Sequence, residues 1–127
     1  MVLVDLSHKI ESNMPVYPGD LKVSIEKEDT LENDGFNSYI MKSGFHCGTH
    51  IDAPMHMTES HMFIGDYSTE RFCGPAVLLD VRGESVISLK EEYSEKINRN
   101  DIVLFYTGWD RFYGEDGYYE DHPVLSE

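Results

Sequence analysis

Only one stretch of this chain carries a helical period, and that limits what it can fold into. Ser88 is placed to cap a helix, with Glu91 completing a capping box three residues on. Leu89, Tyr93 and Ile97 fall on one face of that helix, and Asn98–Asp101 ends it. Elsewhere the pattern is extended or turning. Val2–Ile10 reads as a strand, and Pro15 and Pro18-Gly19-Asp20 impose a loop. Lys22–Lys27 alternates, with Val23 and Ile25 apolar, as a half-buried strand does. Asn33-Asp34-Gly35 marks a turn before an extended run over Phe36–Ser43. Gly74-Pro75 precedes an apolar strand at Ala76–Val81. Ile102–Tyr106 reads as a central strand that stops at Thr107-Gly108, before an irregular aromatic loop over Trp109–Tyr119. The expected class is a strand-rich α/β domain. A sheet needs a partner layer, and one helix cannot cover several strands. Either a second subunit supplies the cover, or this is the front of a longer protein. Pro123–Ser126 fits the second view, because it reads as the approach to a helix capped by Ser126 with Glu127 in its first turn.

The 127 residues suit one compact domain spanning 1–127. A domain of that size buries roughly two-thirds of its unfolded surface, enough for a core without disulfides. Ten basic against 24 acidic side chains leave a net charge of −14. That balance excludes nucleic acid as a partner, since phosphates require a basic face. It also opposes an anionic membrane surface. No apolar run approaches the roughly 20 residues of a membrane span, and Asp5 interrupts the N-terminus before a signal-peptide core forms. Two cysteines, Cys47 and Cys73, make no disulfide framework, so a reduced, cytoplasmic protein is expected. Cys47 reads as a small space-filling side chain.

Residues 46–56 concentrate the chemistry: His46, His50, Asp52 and His56 all occupy even positions. In an extended chain, residues two apart point to the same side, about 7 Å apart at Cα. His50 and Asp52 therefore project together. His46 and His56 join them only if the chain bends, and Gly48 and Pro54 stand where bends are wanted. A helix would pair His46 with His50, but Gly48, Thr49, Ile51 and Pro54 oppose one. Imidazole nitrogen and carboxylate oxygen are ligands that borderline divalent ions select. The plainer alternative is a set of surface histidines with structural hydrogen bonds.

The pattern His46-x-Gly48-Thr49-His50-x-Asp52-x-Pro54-x-His56 resembles the signature of the cyclase family of metal-dependent hydrolases, which includes arylformamidases and isatin hydrolases. Asp5-Leu6-Ser7-His8 and Pro15–Asp20 are similar to that family's opening. Gly74–Val77, Thr107–Asp110 and His122–Ser126 resemble later landmarks. The resemblance implies the family's swivelling β/β/α fold. It implies His46, His50 and Asp52 as ligands of a divalent metal, Zn or Mn, with one or two ions per chain. It implies His56 as proton donor and acceptor, and Tyr17 as a substrate-contacting aromatic where formamidases carry Trp. The implied reaction is hydrolysis of an amide C–N bond in a small molecule, N-formylkynurenine giving kynurenine and formate, in a homodimer or larger homo-oligomer. The family draws a further His and Glu from a C-terminal part that this sequence lacks. Two alternatives stay open: a shortened metal-binding homologue with impaired catalysis, and a lactam or lactone hydrolase. His8, His61 and His122 read as structural or loop histidines, and Glu115-Asp116 and Glu120-Asp121 as a solvated acidic face.

Overall fold

The computed structural model describes residues 2–126. Its contacts form two compact units, Met1–Ile51 and Asp52–Glu127.

In the first unit the alternation around Val23 and Ile25 produces β1 (Ser24–Lys27). It pairs antiparallel with β2 (Tyr39–Lys42), from Ser24 opposite Lys42 to Lys27 opposite Tyr39. The turn expected at Asn33–Gly35 is the end of a short helix, α1 (Leu31–Asp34). Thr30 starts it by accepting a hydrogen bond from the Asn33 N–H at 3.3 Å. Gly35 closes it in the left-handed conformation. The other flank of β1 is held by residues 12 and 13: the Asn13 N–H donates to the Val23 carbonyl at 2.9 Å, and the Ile25 N–H donates to Ser12 Oγ at 2.9 Å. Met14 and Val23 are this unit's buried hydrophobic residues among those described. Val2–Ile10 is exposed and forms no strand. Apolar residues in an extended run make a strand only where a ladder receives them. Here the His8 N–H goes instead to a side chain, Thr49 Oγ1, at 3.2 Å.

In the second unit, β3 (Ala76–Asp80) and β5 (Ile102–Tyr106) pair in parallel. A parallel pair needs a long crossover. The crossover carries β4 (Val86–Ile87) and α2 (Glu91–Lys96). β4 is paired in parallel with β6 (Val124–Leu125). The helix begins later than Ser88: its N-cap is Lys90, with no side-chain capping bond. The cause lies one step upstream. Ile87 is committed to the ladder, where its carbonyl accepts from the Ser126 N–H at 2.9 Å, and the chain leaves that pairing still extended. Tyr93 and Ile97 nevertheless face the core as their spacing requires, whereas Leu89 falls outside the helix and is 90% exposed. The helix start expected at Glu127 lies outside the described residues.

The core of this unit is Leu79, Val81, Ile87 and Tyr93, with Val77, Ile97 and Val103 packed against it. These side chains lie on one face of the β3–β5 pair. The opposite face presents Leu78 at 65% exposure and Leu104 at 40%. Parallel strands that are apolar on both sides normally have both faces covered, and α2 covers one. Leu79→Ala is expected to cost about 2–5 kcal/mol through lost contacts and a residual cavity. Its neighbour Leu78→Ala should stay within about 0.5 kcal/mol. Paired urea titrations check the contrast.

The carboxyl ends of β3 and β5 are tied by Arg82. Its Nε and an Nη donate to the two oxygens of Asp80, at 2.8 and 2.6 Å, and its guanidinium lies 4.7 Å from the centre of the Tyr106 ring. Gly108 has φ +67°, and a Cβ there would stand 3.2 Å from Arg82 Cγ. The Arg82 hydrogen bonds hold the Asp80 carboxyl below its ordinary value of 3.8, at about 2. A depressed carboxylate stabilises the fold above its unfolded pKa and loses that contribution as pH falls through the folded one. The contribution should therefore fade between about pH 4 and pH 2. A carbon-detected NMR titration should find the Asp80 midpoint near the lower limit, and Arg82→Gln should return it towards 3.8.

The described residues contain no helix long and apolar enough to cross a membrane. The class is strand-rich mixed α/β, built from small two-stranded sheets.

Candidate metal centre

The segment after β2 bends as its glycine and proline dictate. Residues 43–53 form neither a helix nor a regular strand. Gly48 takes φ +60°, the left-handed region open to glycine at little cost. Pro54 opens a single 3-10 turn, Pro54–His56, closed by the His56 N–H to the Ala53 carbonyl at 2.9 Å. The bent, non-helical form expected for the segment is the one found.

The left-handed turn at Gly48 folds His50 back toward His46. His46 Nδ1 and His50 Nε2 stand 3.2 Å apart, with the rings edge to face at 61°. Asp52 completes the group: one ligand atom from each of His46, His50 and Asp52 lies within 4.8 Å of the others. His46 is half-buried, and His50 and Asp52 are exposed. The same backbone orients the His50 imidazole. His50 Nδ1 is 3.0 Å from the Gly48 carbonyl, which can only accept, so Nδ1 carries the proton and Nε2 presents its lone pair inward. Metal-binding histidines are commonly held in this way by a carbonyl on the far nitrogen. Two nitrogens at about 2.0–2.1 Å from one tetrahedral ion stand roughly 3.3 Å apart. The observed spacing and the N, N, O donor set therefore fit a divalent cation.

His56 ends its 3-10 turn and is exposed, outside the group of three. Tyr17 is 55% exposed at the head of the turn closed by the Asp20 N–H to its carbonyl, at 2.9 Å. Its neighbour Val16 forms a β-bridge with Cys47, next to His46. Cys47 is half-buried and contributes backbone pairing here. Sequence reasoning found the three ligand-type side chains and the bend. It missed the Gly48 carbonyl as a tautomer-setting acceptor and Met14 as the residue beneath the bend. No residue-type signal marks either, because one is backbone and the other is an ordinary apolar side chain far along the chain.

Residues 4–127 match the Cyclase family model, described as "Putative cyclase". This chain belongs to the Cyclase family. Its signature stretch is the one that folds into the His46, His50 and Asp52 group. Among curated proteins it is 33% identical over 105 residues to the kynurenine formamidase of Bacillus cereus, covering 82% of this chain and 50% of that one. It is 27% identical over 106 residues to the kynurenine formamidase of Geobacillus thermodenitrificans, covering 83% and 51%. With the kynurenine formamidase of Erythrobacter litoralis it shares 27% over 124 residues, covering 97% and 56%. The chain thus spans about half the length of the curated relatives it matches.

Proposed function

We propose that this chain carries the metal-binding part of a hydrolase acting on non-peptide amide C–N bonds, of the arylformamidase type. The reaction is N-formylkynurenine plus water giving kynurenine and formate. The observation that carries the reading is the convergence of His46, His50 and Asp52 in a chain whose named relatives are kynurenine formamidases. His46 Nδ1, His50 Nε2 and an Asp52 oxygen would hold a Zn²⁺ or Mn²⁺ ion. Such an ion, when bound, supplies Lewis acidity that lowers the pKa of water from 15.7 to about 7 and polarises a carbonyl. His56 takes a proton from the attacking water and returns it to the departing nitrogen. An anilide suits this chemistry, because an aryl amine leaves more readily than an alkyl amine. The Tyr17 ring offers an apolar wall for the aryl group. A zwitterionic substrate carries no net charge and so escapes the long-range repulsion of a chain at −14.

A homodimer or larger homo-oligomer and a cytoplasmic location belong to the same reading. The apolar face of the β3–β5 pair, open at Leu78 and Leu104, supports self-association. The second reading is a metal-binding homologue with impaired catalysis. A panel of N-formyl anilines, isatin and simple lactones, assayed with Zn²⁺ and with Mn²⁺ alongside metal stoichiometry, decides. Formanilide hydrolysis that requires the added ion supports the first reading. Stoichiometric metal without turnover on any substrate selects the second, and preference for isatin or lactones moves the activity to ring opening. No metal uptake at all overturns both readings.

A further inference from the structure

The loop that carries His46 and His50 rests on the segment 8–16 of its own unit. At one end the His8 N–H donates to Thr49 Oγ1 at 3.2 Å. At the other, Val16 forms its bridge with Cys47. Between them Met14 is buried, and its terminal methyl lies where a side chain on residue 48 would begin: a Cβ added to Gly48 would stand 3.2 Å from Met14 Cε and 3.9 Å from Ile10 Cγ1. Met14 is itself fixed. Its own N–H donates to the Glu11 carbonyl at 3.2 Å, and the Asn13 N–H donates to Val23 at the start of the β1 ladder.

We propose that Met14 is a positioning residue for the metal cluster, its methyl bracing the left-handed turn at Gly48 that turns both imidazoles toward one point. This rests on the reading of His46, His50 and Asp52 as ligands. The link runs through two contacts. The methyl lies beside Gly48, 3.2 Å from where a Cβ on it would stand, and the Gly48 carbonyl holds His50 Nδ1. Any rotation of the backbone at residue 48 swings that carbonyl and carries the His50 ring with it. Glycine tolerates many φ/ψ values, so the turn does not hold itself. A neighbour must select one conformation. A long, flexible thioether suits that task, because it reaches into an irregular space that a shorter side chain does not fill.

The test reads metal affinity, with Zn²⁺ titrated against a chromogenic chelator and Co²⁺ followed by its visible absorption. Met14→Ala should weaken binding by about 10-fold or more, the scale seen when residues supporting a ligand are removed. It should also alter the Co²⁺ band shape. Met14→Leu, which keeps the volume and most of the reach, should bind within about 3-fold of the parent. Met14→Val keeps a buried apolar body but not the reach to residue 48, and should show the same loss if Met14→Ala does not fold. Val23→Ala removes the other buried side chain among the unit's described residues. It should lower thermal stability while leaving affinity near the parent value. Unchanged affinity in Met14→Ala, or an equal loss in Val23→Ala, overturns the inference while His50→Ala still loses metal. Parent-like binding in His50→Ala overturns the ligand reading itself.

Discussion

His50→Ala is expected to bind Zn²⁺ more than about 100-fold more weakly than the parent, a larger effect than removing a residue that only supports a ligand. The reason is geometric. His50 Nε2 faces His46 Nδ1 at 3.2 Å, and the alanine leaves one imidazole and an exposed carboxylate, two donors with no enclosed site between them. Far-UV circular dichroism should be unchanged, because His50 is exposed and packs into no core cluster. Chelator competition gives the affinity, and elemental analysis of the purified proteins gives the stoichiometry. Equal metal content in the variant and the parent would remove His50 from the ligand set.

His56→Ala is the complementary case. It should keep metal at the parent level, because His56 lies outside the converging group. Turnover of an N-formyl aniline should nonetheless fall by about 100- to 10,000-fold, the range a positioned general acid–base contributes. The loss should appear in kcat more than in KM, since proton transfer is made in the transition state. Anilides with better leaving groups should suffer less, because their nitrogen needs less protonation as it departs. Loss of metal in this variant would recast His56 as a ligand, and full activity would leave the proton to another group.

The parts of this molecule that were readable from sequence are those fixed by local chemistry. The apolar run at Ile102–Tyr106 became β5 with the same ends, and Gly74-Pro75 did precede β3. The bend at Gly48 and the turn at Pro54 followed from backbone restrictions that act within a few residues. The convergence of His46, His50 and Asp52 was readable for the same reason, because seven residues of bent chain are enough to bring them together. Features that depend on distant pairing were not. Val2–Ile10 carries a strand's composition without a ladder to join. The N-cap of α2 moved from Ser88 to Lys90 because Val86–Ile87 pairs with Val124–Leu125 almost forty residues away. The turn at Asn33–Gly35 was located correctly but misread in kind, since Thr30 can cap a helical turn as well as precede a bend. Met14 could not be singled out, because its importance comes from one contact across 34 residues of chain.

The uncovered side of the β3–β5 pair has a practical consequence for anyone handling the protein. Leu78 and Leu104 stay wet in the single chain, and copies that touch there would stick. At neutral pH, growth beyond the proposed oligomer is opposed by mutual repulsion between chains that each carry fourteen surplus negative charges. Acidifying a preparation toward pH 4.6 discharges that barrier, and concentrated salt shortens its reach. Turbidity should therefore rise first under those two conditions, well before heat or urea opens the fold.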